Sequence, residues 1–107
     1  MKALTIKEPW ATLIRNGHKT IETRTWKTTH RGKLLLCASR KPKSSLSGMA
    51  FAIADLVDIR LMTKEDEKKA CCEIYDRAHS WFLENVTPIK PFPVKGQLGL
   101  YDVDSDT

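Results

Sequence analysis

Gly17-His18-Lys19-Thr20-Ile21-Glu22-Thr23-Arg24-Thr25-Trp26 alternates charge with β-forming residues in a way that a plain solvent-facing strand does not require. Read with a period of two, the stretch sets Thr20, Glu22, Arg24 and Trp26 on one face and Lys19, Ile21, Thr23 and Thr25 on the other. A carboxylate, a guanidinium and an indole then share a face. Two environments suit such a row: a solvated ladder of ion pairs, which adds little to stability, or the floor of a pocket that grips a polar, planar ligand.

On the N-terminal side, residues 2–7 alternate as a short strand. Glu8-Pro9-Trp10 then opens a helix, with Pro at its first position, Glu at the positive end of the dipole, and Trp10, Leu13 and Ile14 spaced i, i+3, i+4. Gly17 caps it. On the C-terminal side, residues 28–32 read as a turn, residues 33–39 as an apolar strand buried on both faces, and residues 40–48 as a basic loop. Residues 49–62 carry the longest β signal, with Phe51, Ile53, Val57, Ile59 and Leu61 on one parity. Thr63 caps a helix predicted to run from Glu65 to Cys72, acidic in its first turn. Residues 81–86 read as a strand, Pro88, Pro91 and Pro93 exclude regular structure up to Val94, and Lys95-Gly96-Gln97 turns into a last strand over residues 98–103. Residues 104–107 form a fraying tail. About six strands and two or three short helices result, an α+β class that is mostly β. A small closed or nearly closed barrel with helices over its openings fits this order, and an open α+β sheet fits it as well.

The 107 residues have room for one domain, 1–107, that folds without staples. No apolar run approaches the roughly 20 residues of a membrane span, and no basic-then-apolar leader opens the chain, so a soluble cytoplasmic protein with no membrane partner is expected. Cys37, Cys71 and Cys72 fit neither a disulfide framework nor a Cys-x-x-Cys knuckle, and His18, His30 and His79 lack a paired spacing. The expectation is a reducing compartment, no bound metal and no other cofactor. Oligomeric state is not encoded in any visible pattern. Charge is unevenly placed: residues 1–48 hold 11 Lys/Arg against 2 Asp/Glu, a net +9, while residues 49–107 hold 7 against 11, a net −4, giving the chain its +5. A basic half of this kind suits a protein that meets phosphate, and it equally suits a solvated basic surface.

Five phrases in order carry a resemblance over essentially the whole chain: Ile6-Lys7-Glu8-Pro9-Trp10-Ala11, Gly17 through Arg24, Arg31-Gly32-Lys33-Leu34-Leu35-Leu36-Cys37-Ala38-Ser39, Trp81-Phe82-Leu83-Glu84-Asn85, and Pro93-Val94-Lys95-Gly96-Gln97-Leu98-Gly99-Leu100. Together they resemble the ASCH domain, a branch of the PUA-like superfamily. The resemblance implies a six-stranded pseudo-barrel with a cleft between barrel and helices, lined by the Lys-x-x-Glu-x-Arg segment. Related PUA domains bind RNA. Some ASCH members are similar to amidohydrolases that deacetylate N4-acetylcytidine nucleosides, some cleave RNA, and others are domains of transcriptional coactivators, so membership fixes fold better than chemistry. The amidohydrolase branch carries Lys-Thr-Ile-Thr-x-Arg, with the lysine as base and the second threonine as nucleophile. Here Lys19 matches the lysine and Glu22 stands at the nucleophile position. A carboxylate does not replace a threonine alkoxide, although it can activate water.

The leading expectation is therefore binding of RNA or a modified nucleoside. Lys19 would serve as phosphate or carbonyl ligand, Glu22 as base or base-edge acceptor, and Arg24 as a bidentate phosphate clamp. Trp26, at a strand end among polar residues, is the first choice for a stacking platform. Trp10 is a further ligand-binding candidate, although it and Trp81 sit on apolar patterns that suit the core. Ser39, Lys95, Gly96 and Gln97 would rim the pocket, and Arg31, Lys41 and Lys43 would steer phosphate toward it. Glu8 either lies near the pocket or simply caps its helix. An alternative is a hydrolase of the same cleft, an N4-acetylcytidine amidohydrolase or a ribonuclease, with Lys19 and Glu22 as its catalytic pair. A second alternative is a protein-interaction domain that presents the acidic helix of residues 65–73.

Overall fold

In the computed structural model, which describes residues 1–104, the chain runs β1 (Lys2–Ile6), α1 (Trp10–Arg15), β2 (Ile21–Arg24), β3 (Gly32–Ala38), β4 (Met49–Leu61), a 3-10 turn (Lys64–Asp66), α2 (Glu67–Ala70), β5 (His79–Pro93) and β6 (Leu100–Asp102). The strands join in one sheet in the order β2-β5-β4-β3-β1-β6, with β1 and β3 parallel and every other pair antiparallel. The sheet curls into a six-stranded half-barrel. β3 lies between β4 and β1 and buries every residue from Leu34 to Ala38, which is why its sequence is an unbroken apolar run. Leu4, Ile6, Leu34, Leu36, Phe51, Leu56 and Trp81 fill the concave side, and α1 closes it with Ala11 and Ile14. Each such side chain contributes roughly 1.5–3 kcal/mol on burial.

α1 ends as its sequence predicts. Gly17, at φ +82°, donates its N–H to Ile14 (3.0 Å) and His18 donates to Leu13 (2.9 Å), the paired bonds of a glycine-terminated helix. Lys19 then donates to the same Leu13 carbonyl (3.0 Å), and Thr20 donates to Lys69 (3.0 Å). These bonds hold residues 17–19 outside the sheet, and Thr20 meets it through its carbonyl alone, which accepts the Leu83 N–H (3.1 Å). The strand expected across the whole of residues 17–26 is therefore only four residues long, and its period-two parity does not reach Lys19 or Trp26.

Four further expectations are corrected. Pro88, Pro91 and Pro93 lie inside β5 rather than ending it, because β2 covers only His79–Phe82 and leaves the rest of that flank as a free edge where a missing N–H costs no ladder bond. In β4, Val57 and Leu61 are exposed and Leu56 is buried, since the register shift between Ala50 and Ala52 moves Ala52, Ala54 and Leu56 onto the core-facing parity. The helix expected over residues 65–72 is a 3-10 turn followed by a four-residue α2 that ends at Cys71, in the left-handed region at φ +56°. β6 is likewise shorter than its prediction, and of the expected tail, residues 105–107 lie outside the described residues.

The sheet does not close. Where its β2 flank curls round toward β1, Arg24 Nη2 donates to the Thr5 carbonyl (2.8 Å). Beside that strap lies a cleft.

Candidate functional site

Lys19 is 1% exposed, and an ammonium so buried costs several kcal/mol unless it is paired. The bonds that close α1 turn its side chain inward. There it donates to the carbonyl of Ala70, the last residue of α2, and stands 3.4 Å from Glu22 Oε1. Glu22 is buried too, and its other oxygen accepts from Arg24 Nη2 at 2.9 Å. Since Arg24 also holds Thr5, a relay Ala70–Lys19–Glu22–Arg24–Thr5 crosses the floor of the cleft and ties α2, β2 and β1 together. Two cations face one anion, so the floor keeps a net positive charge.

The cleft has a volume of about 580 Å³, within the roughly 300–1,000 Å³ of small-molecule sites. Lys7 and the half-buried Trp10 line it from the start of α1, Ser39 from the end of β3, and Gln97, Leu98 and Gly99 from the loop before β6. Thr23, Cys72 and Tyr75 line it from the α2 side. Tyr75 Oη donates to Thr23 Oγ1 at 2.9 Å, and Cys72 Sγ lies 3.8 Å from the same oxygen. Behind the floor, the Thr5 hydroxyl and the Tyr101 phenol share a 2.6 Å hydrogen bond. Burial pushes that phenol up to about 12, against the Thr5 bond and with Cys37 adding to the rise.

The residues singled out in the sequence divide cleanly. Lys19, Glu22, Arg24, Trp10, Ser39 and Gln97 come together in the cleft, although the positions run from 10 to 97. Lys95 and Gly96 line a neighbouring groove instead. Trp26 does not line the cleft. It follows the end of β2, packs its ring edge-on against Trp81 (4.9 Å between centroids, 83° between planes) and accepts the Trp81 indole N–H on its carbonyl (3.3 Å). Of the two tryptophans expected at the ligand, Trp10 lines the cleft and Trp26 does not, and both pack against the core. Arg31 is directed elsewhere, donating to the carbonyls of Thr28 and His30 at 2.8 Å each, and the exposed Lys41 and Lys43 stand off the cleft lining. Glu8 serves its helix: its carboxylate accepts from the Thr12 N–H (2.8 Å) and hydroxyl (2.7 Å). Burial raises its proton affinity, but bonds from Ser44 and Thr12 outweigh that and hold the carboxyl below the usual range.

Comparison with known proteins accords with this architecture. A model of the ASCH domain matches residues 4–93. The chain belongs to the ASCH family. Activating signal cointegrator 1 of Homo sapiens and its Mus musculus counterpart are each 25% identical over 130 residues, covering 95% of this chain and 22% of their own length. The ASCH chain thus spans about a fifth of the curated relatives it matches. The crystal structure of ASCH from Zymomonas mobilis superposes with a TM-score of 0.74 at 14% identity, covering 98% of this chain and 88% of that one, and a serine-to-alanine variant of it gives 0.71. These structures share the fold.

The sequence of this ASCH chain does not reveal Thr5, Lys7, Thr23, Cys72, Tyr75, Leu98 and Gly99 as cleft residues. Thr23 is hidden by strict alternation, which sends it away from Glu22. Leu98 had a visible signal, an apolar residue alone between Gly96 and Gly99. Tyr75 had none, because it reaches the cleft through the irregular segment between α2 and β5.

Proposed function

We propose that this ASCH domain binds a nucleobase, as part of RNA or as a modified nucleoside, in the cleft floored by Lys19, Glu22 and Arg24. The buried relay carries this reading. Well-packed apolar residues of similar volume would serve stability as well or better, so charge held at the floor of a ligand-sized cleft points to recognition. Each carboxylate oxygen has two lone pairs, which leaves Glu22 able to accept an N–H from a base edge while it holds both cations. The Ser39 hydroxyl and Gln97 amide both donate and accept, and Trp10 offers a ring face, a contact worth roughly 1–3 kcal/mol per base. Lys7, exposed at the rim, adds positive charge toward a phosphate.

Amide spectra recorded while adding cytidine, N4-acetylcytidine and a single-stranded RNA octamer test the proposal directly. Shifts are expected at residues 19–24 and 97–99; their absence with all three ligands overturns it. Hydrolysis in the same cleft is the second reading, favoured by the Thr23 hydroxyl and its Tyr75 partner standing beside Lys19 and Glu22. Turnover of N4-acetylcytidine or labelled RNA above a Lys19→Ala control would assign it. Binding remains the better-supported reading, because Glu22 stands at the position where the amidohydrolase branch carries its nucleophilic threonine.

A further inference from the structure

A second groove of about 500 Å³ runs beside the cleft and shares Thr5, Ser39, Gln97 and Leu98 with it. Its own lining adds Arg40 and Lys95 and, among the described residues, contains no carboxylate. Neither cation has an ion pair or side-chain hydrogen bond among the described residues. The backbone nonetheless fixes where they stand. Gly48 donates its N–H to Ala38 and accepts the Val94 N–H on its carbonyl, both at 3.0 Å, and so ties the segment that begins at Arg40 to the one that carries Lys95. Arg40 also lays its aliphatic stem on Gly48, where a Cβ would meet its Cγ at 3.6 Å. In the second groove, Gly96 packs so closely on β1 that a Cβ would come within 3.2 Å of the Oγ1 of Thr5, which both depressions share. Leu98, 99% exposed, borders both depressions.

A free nucleoside needs only the first cleft and leaves the second without use. Two contiguous depressions, one floored by hydrogen-bonding groups and the other flanked by unpaired cations, fit a base and its neighbouring phosphate. We infer that the ligand is a single strand of nucleic acid, which leaves the cleft past Gly96 and Leu98 and places the adjoining phosphate between Arg40 and Lys95. This inference rests on the cleft holding a base. Leu98 then has an occupation that full exposure to water does not give it, as an apolar surface against the bases where the strand turns.

Fluorescence anisotropy tests the inference with a labelled RNA octamer of uridines around one central cytidine, the same octamer carrying N4-acetylcytidine, and its DNA counterpart. Free cytidine and N4-acetylcytidine serve as competitors. The octamer should bind at least tenfold more tightly than the matching nucleoside at low salt. An Arg40→Ala/Lys95→Ala double variant should remove that margin, lower the log–log salt slope by roughly 0.7, the value for one single-strand phosphate, and leave nucleoside affinity unchanged. A Lys33→Ala/Lys90→Ala variant, which removes two exposed cations outside both grooves, should keep the margin. Equal affinity of octamer and nucleoside overturns the inference while leaving the cleft reading intact, and so does a margin that survives in the Arg40/Lys95 variant or is lost equally in the Lys33/Lys90 one. Failure of every ligand to shift the amides of residues 19–24 overturns the cleft reading itself. Equal binding of RNA and DNA sustains the strand and shows that the 2′-hydroxyl is not read.

Discussion

Lys19 holds a charge where a methionine would pack. Its ammonium has a carbonyl on one side and Glu22 on the other, so Lys19→Met keeps much of the side-chain volume while leaving Glu22 with Arg24 alone. Breaking a buried pair costs about 3–5 kcal/mol, and the remaining Arg24 bond should keep the loss near the lower end. Adding Glu22→Gln removes the stranded charge, so the double variant should recover part of that stability in urea denaturation. Ligand titration should show no recovery of binding. Binding by Lys19→Met at wild-type affinity would refute the role given to the ammonium. Leu98 makes the opposite test, because it is exposed and Leu98→Ser should move stability by no more than about 0.5 kcal/mol. Octamer affinity should nevertheless fall severalfold, and an unchanged affinity would remove Leu98 from the interface. Single residues were also the hardest to place from sequence. Lys19 and Glu22 were found by chemical type, but the choice between Trp10 and Trp26 depended on where β2 stops, and alternation does not reveal that.

Elements were legible where one force dominates and obscure where two compete. The apolar run of β3 and the glycine stop of α1 appear as their residues require. β5 does not, because proline's missing N–H is tolerated on a flank that only the sheet order exposes. The segment around α2 shows the same competition, and there an acid decides the outcome. Asp66 is buried, accepts the Thr63 N–H (3.0 Å), both Nη atoms of Arg60 (2.9 and 3.0 Å) and the Ser80 hydroxyl (2.9 Å), and so pins the 3-10 turn to β4 and β5. Burial works to raise its pKa, but the bonds from Thr63, Arg60 and Ser80 prevail and hold it below 3.8. A carboxyl depressed in the folded state stabilises the fold fully above its unfolded pKa and loses that contribution as pH falls through the folded one. Urea midpoints of the wild type should therefore decline as pH drops below about 4 more steeply than those of Asp66→Asn, whose amide does not titrate. Parallel acid limbs in the two proteins would exclude Asp66 as the titrating group. Because α2 also supplies the Ala70 carbonyl to Lys19, the same loosening should reach the cleft.

Across the whole molecule, the site exists because the sheet stops short of closing. Its residues come from positions 5–10, 19–24, 39, 72–75 and 97–99, and only the order β2-β5-β4-β3-β1-β6 brings them together. Periodicity gives strands without partners, which is why the sequence left a closed barrel and an open sheet equally available from its pattern alone. The matched phrases resolved the fold because they fall on the segments that build the seam. Arg24 is the strap across that seam, and one Nη holds both Thr5 of β1 and Glu22 of β2. Arg24→Ala leaves a buried carboxylate oxygen and a backbone carbonyl without their donor, at a cost of about 1–3 kcal/mol by the usual penalty for an unsatisfied buried group. The loss should not be uniform. β2 pairs with β5 over only four residues and has no neighbour on its other side, so amide exchange at Ile21–Arg24 should accelerate at least tenfold in the variant while the buried β3 amides change only with global stability. Arg24→Lys restores the charge, but its Nζ ends one bond short of the Nη that makes both contacts, and it should recover less than half of the lost protection. Uniform acceleration across β2 and β3 would mean that Arg24 contributes to the fold as a whole, and the seam would then be closed by packing rather than by this strap.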